Sequence, residues 1–208
     1  MKLFLASSLD KTISLFSKKL TRPIKGRRVI FITNAADNHK GDKWWIKFDK
    51  DAFIKIGCNL VEVDMRQITK KDFKSELEKS DIIHFCGGSV LHLISVIKKR
   101  NFSKLIINAV RKDKIIYSGT SAGSMIVAKD LSLNAFEPDE KQYLKETKDY
   151  SGLGLVNFMV MPHCNNKYFV KGNKKMIENL SGASQALIFI YDNQAVWVED
   201  DKLEVVSV

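Results

Sequence analysis

Short apolar runs alternate with amphipathic stretches along the first half of the chain. That rhythm predicts βαβ units around a mostly parallel sheet. Residues 3–6, 28–33, 59–64, 81–85 and 114–117 read as strands, and residues 8–19, 43–56, 71–79, 90–99 and 103–112 as helices between them. The helix over 43–56 closes on Gly57, and Pro23 follows the helix over 8–19, both ordinary stop signals. The second half differs. Residues 155–161, 186–191, 195–199 and 203–206 are strand-like, and 174–180 is helical. The last two strands predict a hairpin around Asp200-Asp201-Lys202. The expected architecture is α/β, a three-layer α/β/α sandwich with an antiparallel C-terminal extension. No internal repeat or low-complexity linker interrupts it, so residues 1–208 read as a single domain.

Composition narrows the class. Hydrophobic residues make up 45% and charged residues 28%, which suits an ordinary globular core. Cys58, Cys86 and Cys164 form no CxxC pair and are odd in number, so neither a disulfide framework nor a zinc ribbon is expected. No apolar run approaches the ~18 residues of a membrane span. The first residues, MKLFLASSLDK, read as a strand broken off by Asp10-Lys11 and not as a leader. A reducing, cytoplasmic setting is the expectation.

The net charge of +10 raises the question of nucleic acid. Residues 1–111 carry 23 basic and 11 acidic residues, and the remainder 11 and 13. The basic clusters, such as Lys18-Lys19 and Lys98-Lys99-Arg100, have no interleaved aromatic residues to stack bases. They read as solvated helix ends, and a nucleic-acid partner is not expected.

The chemistry concentrates in the pentapeptide Gly119-Thr120-Ser121-Ala122-Gly123. It follows an apolar strand and opens an apolar helical stretch, the setting of a nucleophile elbow. A sharp strand-to-helix bend lifts one Ser above the sheet, and the helix start offers free N–H groups to a developing oxyanion. Such a Ser needs a base, usually His. His84 lies within a strand and reads as a core residue, His92 sits on a helix flank and His39 in a polar loop. His163 follows an apolar strand in Met161-Pro162-His163 and is the best candidate. A second glycine turn, Gly87-Gly88-Ser89, lacks the Walker lysine and could complete an oxyanion hole. Gly152-x-Gly154 lacks a third glycine and precedes a strand, which excludes a dinucleotide fingerprint. Cys164 reads as a packing residue.

Together these segments resemble the peptidase family of dipeptidase E (aspartyl dipeptidase), which also contains cyanophycinases. The resemblance rests on GGS at 87–89, YSGTSAGS at 117–124, GLGLVNFMVMPH at 152–163 and the closing segment ALIFIYDNQAVWVEDDKLEVV, in that order. It implies a class I glutamine-amidotransferase-like sandwich, a serine-type peptidase without metal or cofactor, and a small peptide substrate. It further implies Ser121 as nucleophile, His163 as base, and Gly88 and Ala122 as oxyanion donors. The 42-residue Ser-to-His separation favours this family over an α/β-hydrolase. The third triad member is expected in the acidic loop after the nucleophile. Asp139 is preferred there, with Glu137 second, ahead of Glu140. Where aspartate-specific members carry an Arg, this chain has Gly172-Asn173-Lys174-Lys175. Lys175 would meet a substrate carboxylate only as a point charge. Rival readings are another hydrolase of the same fold, cyanophycinase-like or an esterase, and a non-catalytic module that binds a ligand or nucleic acid. Monomer and homodimer are both compatible with the sequence.

Overall fold

The structure, a computed structural model, describes residues 1–144, 149–180 and 185–208. Seven strands form the main sheet in the order β3-β2-β4-β5-β1-β8-β9. Five of them run parallel: β1 (Lys2–Ala6), β2 (Arg28–Ile32), β3 (Asn59–Glu62), β4 (Ile82–Phe85) and β5 (Ile116–Thr120). The C-terminal hairpin, β8 (Gln194–Glu199) with β9 (Lys202–Ser207), joins antiparallel along β1. Strands β2, β4 and β5 are buried on both faces because helices cover both.

One apolar cluster faces α1 (Leu9–Lys19) and α2 (Trp44–Lys55). Phe4 and Phe16 stack there with centroids 4.6 Å apart, and Phe53 packs edge-on against both Phe16 and Phe31. The larger cluster faces α3 (Lys70–Lys79), α4 (Val90–Lys99), α5 (Ser103–Arg111) and α6 (Ala122–Met125), where Phe73 and Phe102 meet at 4.5 Å. The three-layer sandwich with its antiparallel C-terminal hairpin therefore stands as the sequence pattern predicts.

Three differences bear on function. The helix after the nucleophile turn is a single turn, α6, since Ile126 to Lys129 already leave helical geometry to bond with residues 152–156. The acidic loop is wound into two 3-10 turns, Ser132–Phe136 and Pro138–Tyr143, with Glu137 capping the second. And β6 (Phe158–Met161) does not enter the main sheet. It pairs in parallel with β7 (Ala186–Phe189) as a separate two-stranded unit. Its four residues are buried, so sequence hydropathy alone could not separate it from a main-sheet strand. The last helix, α7 (Val170–Glu178), starts earlier than its apolar pattern suggests.

Candidate active site

Ser121 is the first residue beyond β5, at the carboxyl edge of the sheet. Its backbone sits at φ 51°, ψ −111°. A non-glycine residue there stores on the order of 1–3 kcal/mol of strain. The neighbouring glycines make the bend possible. A Cβ on Gly119 would fall 2.4 Å from the Gly123 carbonyl, and one on Gly123 would fall 2.0 Å from the Phe85 carbonyl oxygen. The Ser121 N–H donates to the Ala6 carbonyl of β1 at 3.0 Å. Ser124 anchors the turn from below by donating its hydroxyl to Ala6 and Gly119 carbonyls, 2.8 Å each. Among the described residues the Ser121 hydroxyl has no hydrogen-bond partner.

His163 reaches this edge from the two-stranded unit. Strands β1 and β5 pair Ala6 with Thr120, so Ser7 and Ser121 leave adjacent strands side by side. The buried Ser7 hydroxyl accepts the His163 backbone N–H at 2.9 Å and lies 3.2 Å from Nδ1. His163 is thereby held against Ser7, at the end of the strand next to the one that leads into Ser121. No hydrogen bond joins Ser121 Oγ to the ring in this structure, and Nε2 has no partner among the described residues. His163 itself adopts φ 60°. Phe169 stacks on its ring at 4.1 Å between centroids.

The carboxylate behind the imidazole is Asp192, which the sequence reading missed. Its Oδ1 lies 2.6 Å from His163 Nδ1 and also accepts from the Ser7 hydroxyl at 3.1 Å. Oδ2 accepts from Asn166 at 3.1 Å and faces Lys11 at 3.4 Å. The hydrogen bond from His163 chiefly, with the Asn166 hydrogen bond and the Lys11 charge, holds the Asp192 carboxyl well below the usual carboxylate range. An ionised Asp192 only accepts, so the ring proton is assigned to Nδ1 and the lone pair to Nε2. The signal was the parallel pairing of β6 with β7. Met161 is level with Phe189, which brings the residues following both strands to one end. Pairing between β6 and β7 cannot be read from either segment alone.

Asp139 and Glu137, the expected acids, make no hydrogen bond to His163 among the described residues; Asp192 holds the ring instead. Glu137 accepts the N–H groups of Asp139 at 2.7 Å and Glu140 at 3.2 Å, capping its own 3-10 turn. Asp139 is exposed. That turn exists to aim Glu140 elsewhere. Buried Glu140 takes the Ser89 hydroxyl at 2.6 Å and the Val90 and Leu91 N–H groups at 2.6 and 3.2 Å. It therefore clamps the start of α4 just beyond Gly88.

Burial pushes the Glu140 carboxyl up to about 7 despite those bonds. A carboxyl whose folded pKa exceeds its unfolded value makes stability fall as pH rises between the two. Between pH 4.5 and 7 this group should lower the unfolding free energy by about 3 kcal/mol. Urea titrations across that range should show the slope in the native protein and lose it in Glu140→Gln.

Gly88, one residue beyond Gly87, and Ala122, directly after Ser121, are the expected oxyanion donors. Gly88 has φ 146°, and a Cβ on it would lie 2.3 Å from the Ala35 carbonyl oxygen. A Cβ on Gly87 would lie 3.3 Å from Ser121 Cβ, so the loop borders the nucleophile. Neither the Gly88 nor the Ala122 N–H has an acceptor among the described residues. Lys175 is exposed on α7, where its charge acts on Glu137. Nothing in that placement brings it to Ser121 or His163.

The other candidates sort by contact. Among the described residues one group could offer metal donors: Asp49, His84 and Cys86, all buried. They are already one another's partners, with Asp49 Oδ2 3.3 Å from His84 Nε2, Ser118 on His84 Nδ1 at 3.0 Å, and the Cys86 thiol on Asp49. This is a polar tie between α2 and β4, and His84 is the core residue its strand position suggests. His92 pairs with Asp37 at 3.1 Å. Cys164 donates to the Met161 carbonyl. Among the described residues no helix is long and apolar enough to cross a membrane.

Comparison with known proteins finds similar peptidases along the length of the chain. The sequence profile of peptidase family S51 matches residues 3–206. An uncharacterized peptidase of Listeria innocua is 27% identical over 201 residues, 97% of this chain and 94% of its own length. An uncharacterized peptidase of Pasteurella multocida is 28% identical over 200 residues, 96% and 94% of the two chains. A crystal structure from Listeria monocytogenes, described as a candidate peptidase E protein, superposes with a TM-score of 0.89 at 23% identity, covering 100% of this chain and 98% of that one. A peptidase from an acI-B1 actinobacterium gives 0.67 at 16% identity, covering 100% and 87%.

Proposed function

The chain belongs to peptidase family S51, the dipeptidase E family, and on that premise we propose that it is a serine-type hydrolase of short peptides working through Ser121, His163 and Asp192. In the reaction His163 Nε2 accepts the Ser121 hydroxyl proton as Oγ attacks the scissile carbonyl carbon. The oxygen of the tetrahedral adduct takes the unpaired N–H groups of Gly88 and Ala122. Asp192 stabilises the imidazolium formed meanwhile, without itself taking the proton. Collapse of the adduct breaks the C–N bond, and His163 returns the proton to the leaving amine. Water then attacks the acyl-Ser121 ester with the same imidazole as base, releasing the acid and restoring the hydroxyl.

The observation that carries this reading is the strained Ser121 bend, with two N–H donors that have no acceptor among the described residues, one strand over from an imidazole already fixed on its Nδ1 side by a carboxylate. Strain and unsatisfied donors at one spot are costly and persist where they serve chemistry. The test is a fluorophosphonate probe. A single adduct on Ser121, mapped by peptide mass analysis and suppressed in His163→Ala, is the expected result. An unlabelled Ser121 in folded protein would refute the mechanism.

A further inference from the structure

We infer that the residue donating the attacked carbonyl carries a bulky apolar, preferably aromatic, side chain, with Trp45 as the specificity-determining residue. This rests on the serine-peptidase reading above and names the substrate class of that same site.

The first observation is where the cations are. Recognition of an acidic side chain next to the scissile bond calls for a free guanidinium or ammonium at the carboxyl edge of the sheet. The arginines are committed elsewhere. Arg28 pairs with Glu76, and Arg66 pairs with Asp64 and Asp37. Arg27, Arg100 and Arg111 donate to the carbonyls of Pro23, Ile68 and Gly154. Arg22 lies in the loop leading into the amino end of β2, across the sheet from Ser121. The lysine at the site, Lys11, faces Asp192. Among the described residues no arginine is shown free at this edge to grip an aspartyl or glutamyl side chain with a bidentate fork.

The second observation is what does border the nucleophile. Trp45, on the first turn of α2, donates its indole N–H to the Gly87 carbonyl at 3.0 Å. Its Cδ1 lies 3.7 Å from the point where a Gly87 Cβ would stand, and Ser121 Cβ lies 3.3 Å from the same point. The indole is fixed from behind, with His39 edge-on at 4.7 Å and Trp44 at 5.8 Å. It remains half-buried, so part of the ring is open. The carbonyl that Ser121 attacks points its oxygen at Gly88, one residue beyond Gly87. We place its own side chain along the flank of the glycine loop, where the indole stands. At the imidazole, Phe169 covers one face of His163 and is 43% exposed. The leaving residue passes that ring as it takes its proton from the imidazole. A rigid aromatic wall offers large apolar area at little ordering cost.

Dipeptides with phenylalanine, leucine, alanine or aspartate at the acyl position decide the matter, read as kcat/KM alongside fluorophosphonate labelling of Ser121. The expected order is phenylalanine, leucine, alanine, then aspartate, with phenylalanine ahead of aspartate by at least about 10-fold. In Trp45→Ala the phenylalanine-to-alanine ratio should collapse toward unity, whereas Trp45→Phe, which keeps a ring but loses the bond to Gly87, should keep most of the preference. Preference for aspartate by a labelled, active enzyme overturns the inference and leaves the serine mechanism standing. Equal loss of the ratio in Trp45→Phe would make Trp45 a positioning residue for the glycine loop and would also overturn it. Absence of both labelling and turnover would remove the serine mechanism and this inference together.

Discussion

Replacing Ser121 by alanine should lower kcat for peptide hydrolysis by about 10⁴- to 10⁶-fold and leave the folded protein about as stable as before. The first half follows from the role of the hydroxyl. Without Oγ there is no acyl-enzyme, and what persists is whatever the Gly88 and Ala122 N–H groups and the bound geometry can do for direct attack by water. The second half follows from the structure. The Ser121 hydroxyl bonds to nothing among the described residues, so its loss strands no buried partner. Alanine keeps a Cβ at φ 51°, so the strain of the bend is neither relieved nor increased. A change in unfolding free energy within about 0.5 kcal/mol is expected. Ser7→Ala makes the useful contrast. It removes a buried hydroxyl that holds both the His163 N–H and Asp192, so stability should fall while Ser121 still carries the nucleophile. Steady-state kinetics and urea titration of the two variants separate chemistry from support. Peptide turnover by Ser121→Ala at a rate comparable to the native enzyme would end the argument for this serine.

Much of this was legible because the physics is local. A buried strand must be apolar, and a bend of the Ser121 kind must have glycine where backbone meets backbone, so Gly119 and Gly123 mark the elbow from sequence alone. The 10-residue α4 is announced by Ser89, which caps it by accepting the His92 N–H at 3.0 Å. Even His163 is marked by its position after an apolar strand. What the sequence hid depends on pairing between distant segments. Asp192 is 29 residues beyond His163, in a stretch with no feature of its own beyond an acid following a strand. Only the parallel register of β6 with β7 brings the two level. The acidic loop misled for the converse reason. Glu137, Asp139 and Glu140 cluster in sequence, but the 3-10 turn that starts at Pro138 spends one on its own cap, leaves one in solvent and sends one to α4. Proximity in sequence to a nucleophile is a poor guide when one turn can point three carboxylates three ways.

The assignment of Asp192 in place of Asp139 yields the second large effect. Asp192→Asn should reduce kcat by about 10⁴-fold, while Asp139→Asn and Glu137→Gln leave turnover close to the native rate. The Asn amide nearly preserves shape, but it removes the charge that stabilises the imidazolium. It can also present an N–H to Nδ1, shifting the ring proton to Nε2, where the base's lone pair is needed. The stability of this variant carries an independent signature. Asp192 is held below its usual range in the folded protein, chiefly by the hydrogen bond from His163. A depressed carboxyl contributes stability above its unfolded pKa, and that contribution disappears as pH falls through the folded one. The native protein should therefore exceed Asp192→Asn in stability at neutral pH, and the gap should close in strong acid. Glu140 gives the opposite slope over pH 4.5 to 7, so the two carboxyls can be told apart in one set of titrations. If Asp139→Asn lost the 10⁴-fold and Asp192→Asn did not, the acidic loop would have to swing onto His163 during turnover, and the pairing seen here would be only a resting arrangement.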